Sequence, residues 1–81
     1  MQLDHDKIDD AVMALLCLTL HDRNRAWKGF DWTVLARLHR KGYITNPVNR
    51  AKSVQLTQAG MDRAEALFQT MFVMDGNDDP A

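Results

Sequence analysis

Cys17 and His21 are the first residues in this chain whose types and spacing could do chemistry. Four apart on one helix, a thiol and an imidazole share a face, as a nucleophile and its base would. Cys17 stands among leucines, however, in Leu15-Leu16-Cys17-Leu18, and such a setting favours a buried, inert thiol. His5, His21 and His39 are too far apart in local sequence for a metal-binding motif, so no metal is expected. Gly29, Gly42, Gly60 and Gly76 fall singly, so no glycine-rich phosphate loop exists. No nucleophile, base and oxyanion donor can be assembled. The expectation is therefore a protein that is not an enzyme and needs no cofactor.

Charge is the second constellation. The net charge of −1 hides a strong segregation along the chain. Residues 1–22 set Lys7 against Asp4, Asp6, Asp9, Asp10 and Asp22, a balance of −4. Residues 23–52 set Arg23, Arg25, Lys28, Arg37, Arg40, Lys41, Arg50 and Lys52 against Asp31 alone, a balance of +7. Residues 53–81 return to −4, with Arg63 against Asp62, Glu65, Asp75, Asp78 and Asp79. A same-sign segment of this kind reads as a surface for an anionic partner.

The elements that must position these charges follow from periodicity and turn chemistry. The spacing predicts helices near 6–21, 31–41 and 57–73. Asp4 or Asp6 would cap the first, Asp31 the second and Thr57 the third. Gly42 stands where a left-handed residue should end the second helix. The first helix is apolar nearly all round, with Ile8, Ala11, Val12, Leu15 and Leu18 on one face. On the second, Trp32, Val34, Leu35 and Leu38 would face the core. Residues 43–45 and 53–57 read as two strands joined by a turn at Asn46-Pro47 and a basic tip at Arg50-Ala51-Lys52. The fold class is thus α+β and winged-helix-like: three helices with a two-stranded β-hairpin between helices two and three. Residues 1–74 would form one domain, and 75–81 a disordered acidic tail.

The stretch Leu35-x-x-Leu38-x-x-x-Gly42-Tyr43-Ile44, then Val54-x-Leu56-Thr57-x-x-Gly60-x-x-x-Ala64-x-x-Leu67, resembles the end of many bacterial winged-helix domains. The resemblance covers residues 31–72. It implies that the helix before the hairpin is a recognition helix, the hairpin a wing, and the last helix a dimerisation element. The segment between the first helix and Asp31 is short for a helix-turn-helix. Its middle helix would shrink to a turn at Arg25 to Lys28, or the first helix would itself be the supporting one. Leu18-Thr19-Leu20-His21-Asp22, Arg25-Ala26-Trp27-Lys28 and Phe30-Asp31-Trp32 are also similar to a family of small uncharacterised bacterial proteins, which implies no activity.

Three readings of the basic segment stay open. Thr33, Arg37, Arg40 and Lys41 on one helical face, joined by Arg50 and Lys52 on the hairpin, could bind duplex DNA through its backbone. The same face could instead dock an acidic protein partner, or pair with the acidic ends of this chain. Trp27, Phe30 and Trp32 are expected to anchor a loop in the core. Leu67, Phe68, Met71 and Phe72 on the last helix form the expected homodimer interface. The acidic start and the short apolar runs argue against a signal peptide or a membrane association, and the single cysteine fits a cytoplasmic location.

Overall fold

Three short polar side chains open the three helices of the computed structural model, which describes residues 1–74. Asp4 Oδ1 accepts from the Lys7 amide at 3.0 Å and begins α1, His5–Leu18. Asp31 Oδ2 accepts from the Thr33 amide at 3.0 Å and begins α2, Trp32–Arg40. Thr57 Oγ1 accepts from the Gly60 amide at 3.0 Å and begins α3, Gln58–Phe72. Each satisfies an amide that has no partner inside its own helix. Gly42, at φ +81, closes α2. Its amide donates to His39 O and the Tyr43 amide to Leu38 O, the paired bonds of a Schellman cap. The tail expected to be disordered, 75–81, lies outside the described residues.

α1 stops at Leu18 rather than near residue 21. The backbone leaves the helix at Thr19, and Asp22 and Arg23, both at positive φ, 46 and 75, then reverse the chain. His21 and Arg25 exchange both backbone hydrogen bonds across that turn, at 2.8 and 3.0 Å. The segment expected to be a vestigial helix then becomes β1, Arg25–Trp27. It pairs antiparallel with β2, Ser53–Gln55, in the register Arg25 to Gln55, Ala26 to Val54 and Trp27 to Ser53.

The fold is α+β, three helices and a two-stranded antiparallel sheet, as expected. The pairing within the sheet differs. Residues 43–45 do lie beside 55–57, through an Ile44–Leu56 bridge and bonds from Thr45 N to Gln55 O and Thr57 N to Tyr43 O. The ladder itself belongs to β1, which takes the other edge of β2. Asn24 extends it, accepting from the Leu56 amide at 2.7 Å while its side chain donates to Leu56 O.

α1 and α3 pack against each other and α2 closes the core from the side of α1. Met13, Leu16, Leu35, Leu38, Ile44, Val54 and Leu56 are its large, fully buried members. Gly60 admits the start of α3 to this core: a Cβ there would sit 1.9 Å from Tyr43 O. The apolar surface of α1 divides between core and solvent. Val12, Met13 and Leu16 point inward, whereas Leu15 and Leu18 are exposed.

Candidate functional site

Asp9 shares the inward face of α1 with Met13 and Leu16, and is 1% exposed. Its carboxylate is held from α2. Arg37 Nε donates to both oxygens at 3.0 and 2.9 Å, and Arg37 Nη2 donates to Oδ1 at 2.8 Å. Lys41 Nζ adds a bond to Oδ2 at 2.9 Å and reaches Asp6 at the same distance. Burial alone would push the Asp9 pKa up, but hydrogen bonds and charge from Arg37 and Lys41 outweigh it and hold the carboxyl below its ordinary value. The Asp9 bond and charge in turn hold Lys41 and Arg37 above theirs, with Asp6 contributing to both.

For Arg37 and Lys41 the arrangement is the pairing with the acidic start of this chain, so the basic stripe is not one unpaired face. Arg37 and Lys41 are spent on joining α2 to α1. Thr33 is occupied as well: its amide and hydroxyl both donate to Asp31, whose carboxyl they hold below its usual range. Arg63, on α3, pairs with Asp10 at 3.0 Å. Of the proposed contact residues, Arg40, Arg50 and Lys52 remain exposed and without an acidic partner among the described residues. From Trp32 to Met61 the chain contains no Asp or Glu at all, so α2 must borrow its acids from α1 and the 46–52 loop has none.

That loop is well bonded. The Val48 amide donates to Asn46 Oδ1 and the Ala51 amide to Asn49 Oδ1. Lys28 reaches in from beyond β1, its ammonium donating to Pro47 O at 2.8 Å, Asn49 Oδ1 at 3.0 Å and Asn49 O at 3.2 Å. Its own amide donates to Lys52 O. All three acceptors of the ammonium are neutral, so the loop gains order while Lys28 keeps an uncompensated positive charge.

The aromatic residues depart from expectation. Phe30 packs against the core, but Trp27 and Trp32 are 53% and 57% exposed. Trp27 stands on the outward side of β1, because the sheet turns Ala26 inward. The His21 ring stacks on it at 4.6 Å between centroids. Trp32 occupies the first turn of α2, with the Lys28 ammonium 5.9 Å from its ring centre. On α3, Leu67 and Phe68 are half-buried, and Met71 and Phe72 are exposed. Phe68 and Phe72 meet edge to face at 5.6 Å. His21 Nδ1 lies 2.8 Å from Thr19 O, so it is engaged by backbone and indole. Burial, with Glu65 second, pushes the Cys17 thiol pKa up, away from nucleophilic character.

Asp9 left a signal in the sequence that the apolar count passed over. It lies three, four and seven residues before Val12, Met13 and Leu16, so a carboxylate interrupts a core stripe. Lys28 left none, since its acceptors are backbone and amide groups some twenty residues away.

The geometry defines a small α+β domain with an internal charge cluster and a cationic, aromatic-flanked loop. No group of three His, Cys, Asp or Glu among the described residues is arranged to hold a metal, and no helix there is long and apolar enough to cross a membrane. The chain belongs to a family described as a domain of unknown function, DUF6429, whose model matches residues 4–74. It is 57% identical over 72 residues to the uncharacterized protein y4hR of Sinorhizobium fredii (strain NBRC 101917 / NGR234), covering 89% of this chain and 97% of that relative. No solved structure matches the chain.

Proposed function

We propose that this chain is a winged-helix-like accessory module that binds nucleic-acid backbone as a homodimer and carries out no catalysis. The observation that carries the reading is the 46–52 loop, which stands where a wing would and presents Arg50 and Lys52 to solvent with no acid near them in sequence. Arg40, at the end of α2, adds a third free cation. The contact surface thus moves from the face of the second helix, where Asp9 takes Arg37 and Lys41, to the loop and the helix end. Three phosphate contacts release about 0.9 counterions each on duplex DNA, so log K should fall against log salt with a slope near −3 per protomer.

Binding to labelled duplexes is measured at ~50 mM salt, where electrostatic association is strongest. Replacing Arg40, Arg50 and Lys52 together by alanine should abolish it without changing thermal stability, because exposed charges contribute little to folding. No binding at tens of micromolar would overturn the reading in favour of a module whose cationic face docks an acidic protein. The dimer rests on Met71 and Phe72, exposed at 43% and 45% beside Val73 and Met74. An apolar cluster of this size at a helix end favours a second copy. Sedimentation should give a two-fold species that Phe72→Glu converts to the 9.3 kDa monomer.

A further inference from the structure

We infer that Asn49 and Lys28 are positioning residues for the backbone contact proposed above, holding the 46–52 loop in its binding shape before any ligand arrives. The inference rests on that reading and adds the groups that set its geometry. Arg50 and Lys52 sit in a loop with little apolar anchoring, since Pro47 is buried but Val48 is 74% exposed. Surface loops with few buried contacts are ordinarily mobile, so order here must come from hydrogen bonds.

Asn49 is the node of those bonds. Its side-chain amide donates to Asn46 O at 3.2 Å, and its Oδ1 accepts from the Ala51 amide at 2.8 Å. The second bond spans Arg50, so the backbone on both sides of that cation is fixed. The same Oδ1 accepts from the Lys28 ammonium, as do the carbonyls of Asn49 and Pro47. The Lys28 amide donates to Lys52 O at 3.1 Å, which ties down the far end. Lys28 thus grips the loop at residues 47, 49 and 52 from the first position beyond β1. No carboxylate takes part in these bonds, so the clamp orders the loop without neutralising Arg50 or Lys52. A loop ordered in advance has that much less freedom to lose on binding, and the saving appears as affinity.

The test is binding of the full chain to a fluorescein-labelled DNA duplex, with Asn49→Ala as the main variant because it changes no charge. Its affinity should fall roughly three- to ten-fold, the cost of ordering the loop at the moment of binding. The slope of log K against log salt should stay that of the wild type, because the same cations reach the phosphates. Lys28→Met should weaken binding at least as much, and Lys28→Arg, which keeps the charge and its donors, should restore most of the loss. Melting curves should show each variant folded. Hydrogen exchange at the Val48 amide reports the loop as a whole, since its own acceptor, Asn46 Oδ1, is untouched, and it should speed up in Asn49→Ala. Added to Arg50→Ala, Asn49→Ala should cost less than it does alone, because one cation fewer needs placing. Fully additive losses would assign Asn49 a direct contact and overturn the positioning role. Wild-type affinity in Asn49→Ala, or a Val48 amide that exchanges no faster, would also overturn it, and would leave the backbone-binding reading standing. Absence of duplex binding by the wild-type chain would overturn both.

Discussion

Replacing Asp9 by asparagine should be among the most destabilising single changes available outside the apolar core. The carboxylate is 1% exposed and accepts four charge-assisted bonds, three from Arg37 and one from Lys41. Removing one partner of a buried ion pair typically costs about 3–5 kcal/mol, mostly because the other charge is left desolvated. Here the Arg37 and Lys41 side chains are 19% and 32% exposed, and Lys41 keeps Asp6. Both can turn partly to water, so a loss of about 2–3 kcal/mol is expected, at or just below the bottom of that range. In a domain this small that corresponds to a fall in Tm of about 10–20 °C.

The acid limb of the stability curve carries the same information. Asp9 titrates in the folded protein below its unfolded value of about 3.9, so its contribution is complete above that pH and drains away as pH falls through the depressed folded value. Lys41 titrates above its unfolded value of about 10.4, so its contribution is complete below that pH and is lost only in strong alkali. Urea unfolding followed by circular dichroism from pH 7 down to pH 2 should show a steeper acid loss for the wild type than for Asp9→Asn. A double-mutant cycle of Asp9→Asn with Arg37→Gln should give a coupling of at least ~1 kcal/mol, as contacting charges do. A loss below ~0.5 kcal/mol for Asp9→Asn, the scale of surface changes, would refute the assignment of this cluster as the tie between α1 and α2.

Gly60→Ala should destabilise, although alanine is favoured over glycine in a helix by about 1 kcal/mol. Its Cβ would fall 1.9 Å from Tyr43 O, forcing α3 away from the 43–45 segment, and a net loss of about 2 kcal/mol or more in urea unfolding is expected. Lys28→Met should cost about 1–2 kcal/mol and free the loop, because three neutral acceptors lose their donor. Hydrogen exchange at the Val48 and Ala51 amides should speed up in that variant, and unchanged rates would show that the loop holds itself. Cys17 should react with a disulfide reagent near neutral pH more slowly than a free thiol, and as fast as one in urea, since burial and then Glu65 disfavour its thiolate. Glu65→Gln should bring a modest acceleration of the native reaction.

The helix starts and the close of α2 were legible because they are local. Asp31, Thr57 and Gly42 each act on groups within three or four residues, and all three do what their types and positions predict. Asp4, one of the two acids that could cap α1, does so for the same reason. The apolar stripe of α2 located Val34, Leu35 and Leu38 correctly, though not Trp32. Family membership was legible too, in short runs such as Arg25-Ala26-Trp27-Lys28 that need no folding to compare.

What the tertiary structure alone decided depends on groups far apart in the chain. Arg25–Trp27 is too short to show an alternation, and it becomes a strand because residues 53–55 offer it a free edge. Lys28 orders a loop nineteen to twenty-one residues away by bonding to its carbonyls. Arg37 and Lys41 look like free cations on a helical wheel, which shows a helix its own neighbours and no others. Their partner Asp9 lies 28 and 32 positions earlier, and only packing turns that acid from solvent toward α2. A row of like charges in sequence reports how much charge a segment carries. Which of those charges face water is decided by where the opposite sign folds to meet them, and here α1 meets two and leaves Arg40, Arg50 and Lys52 outside.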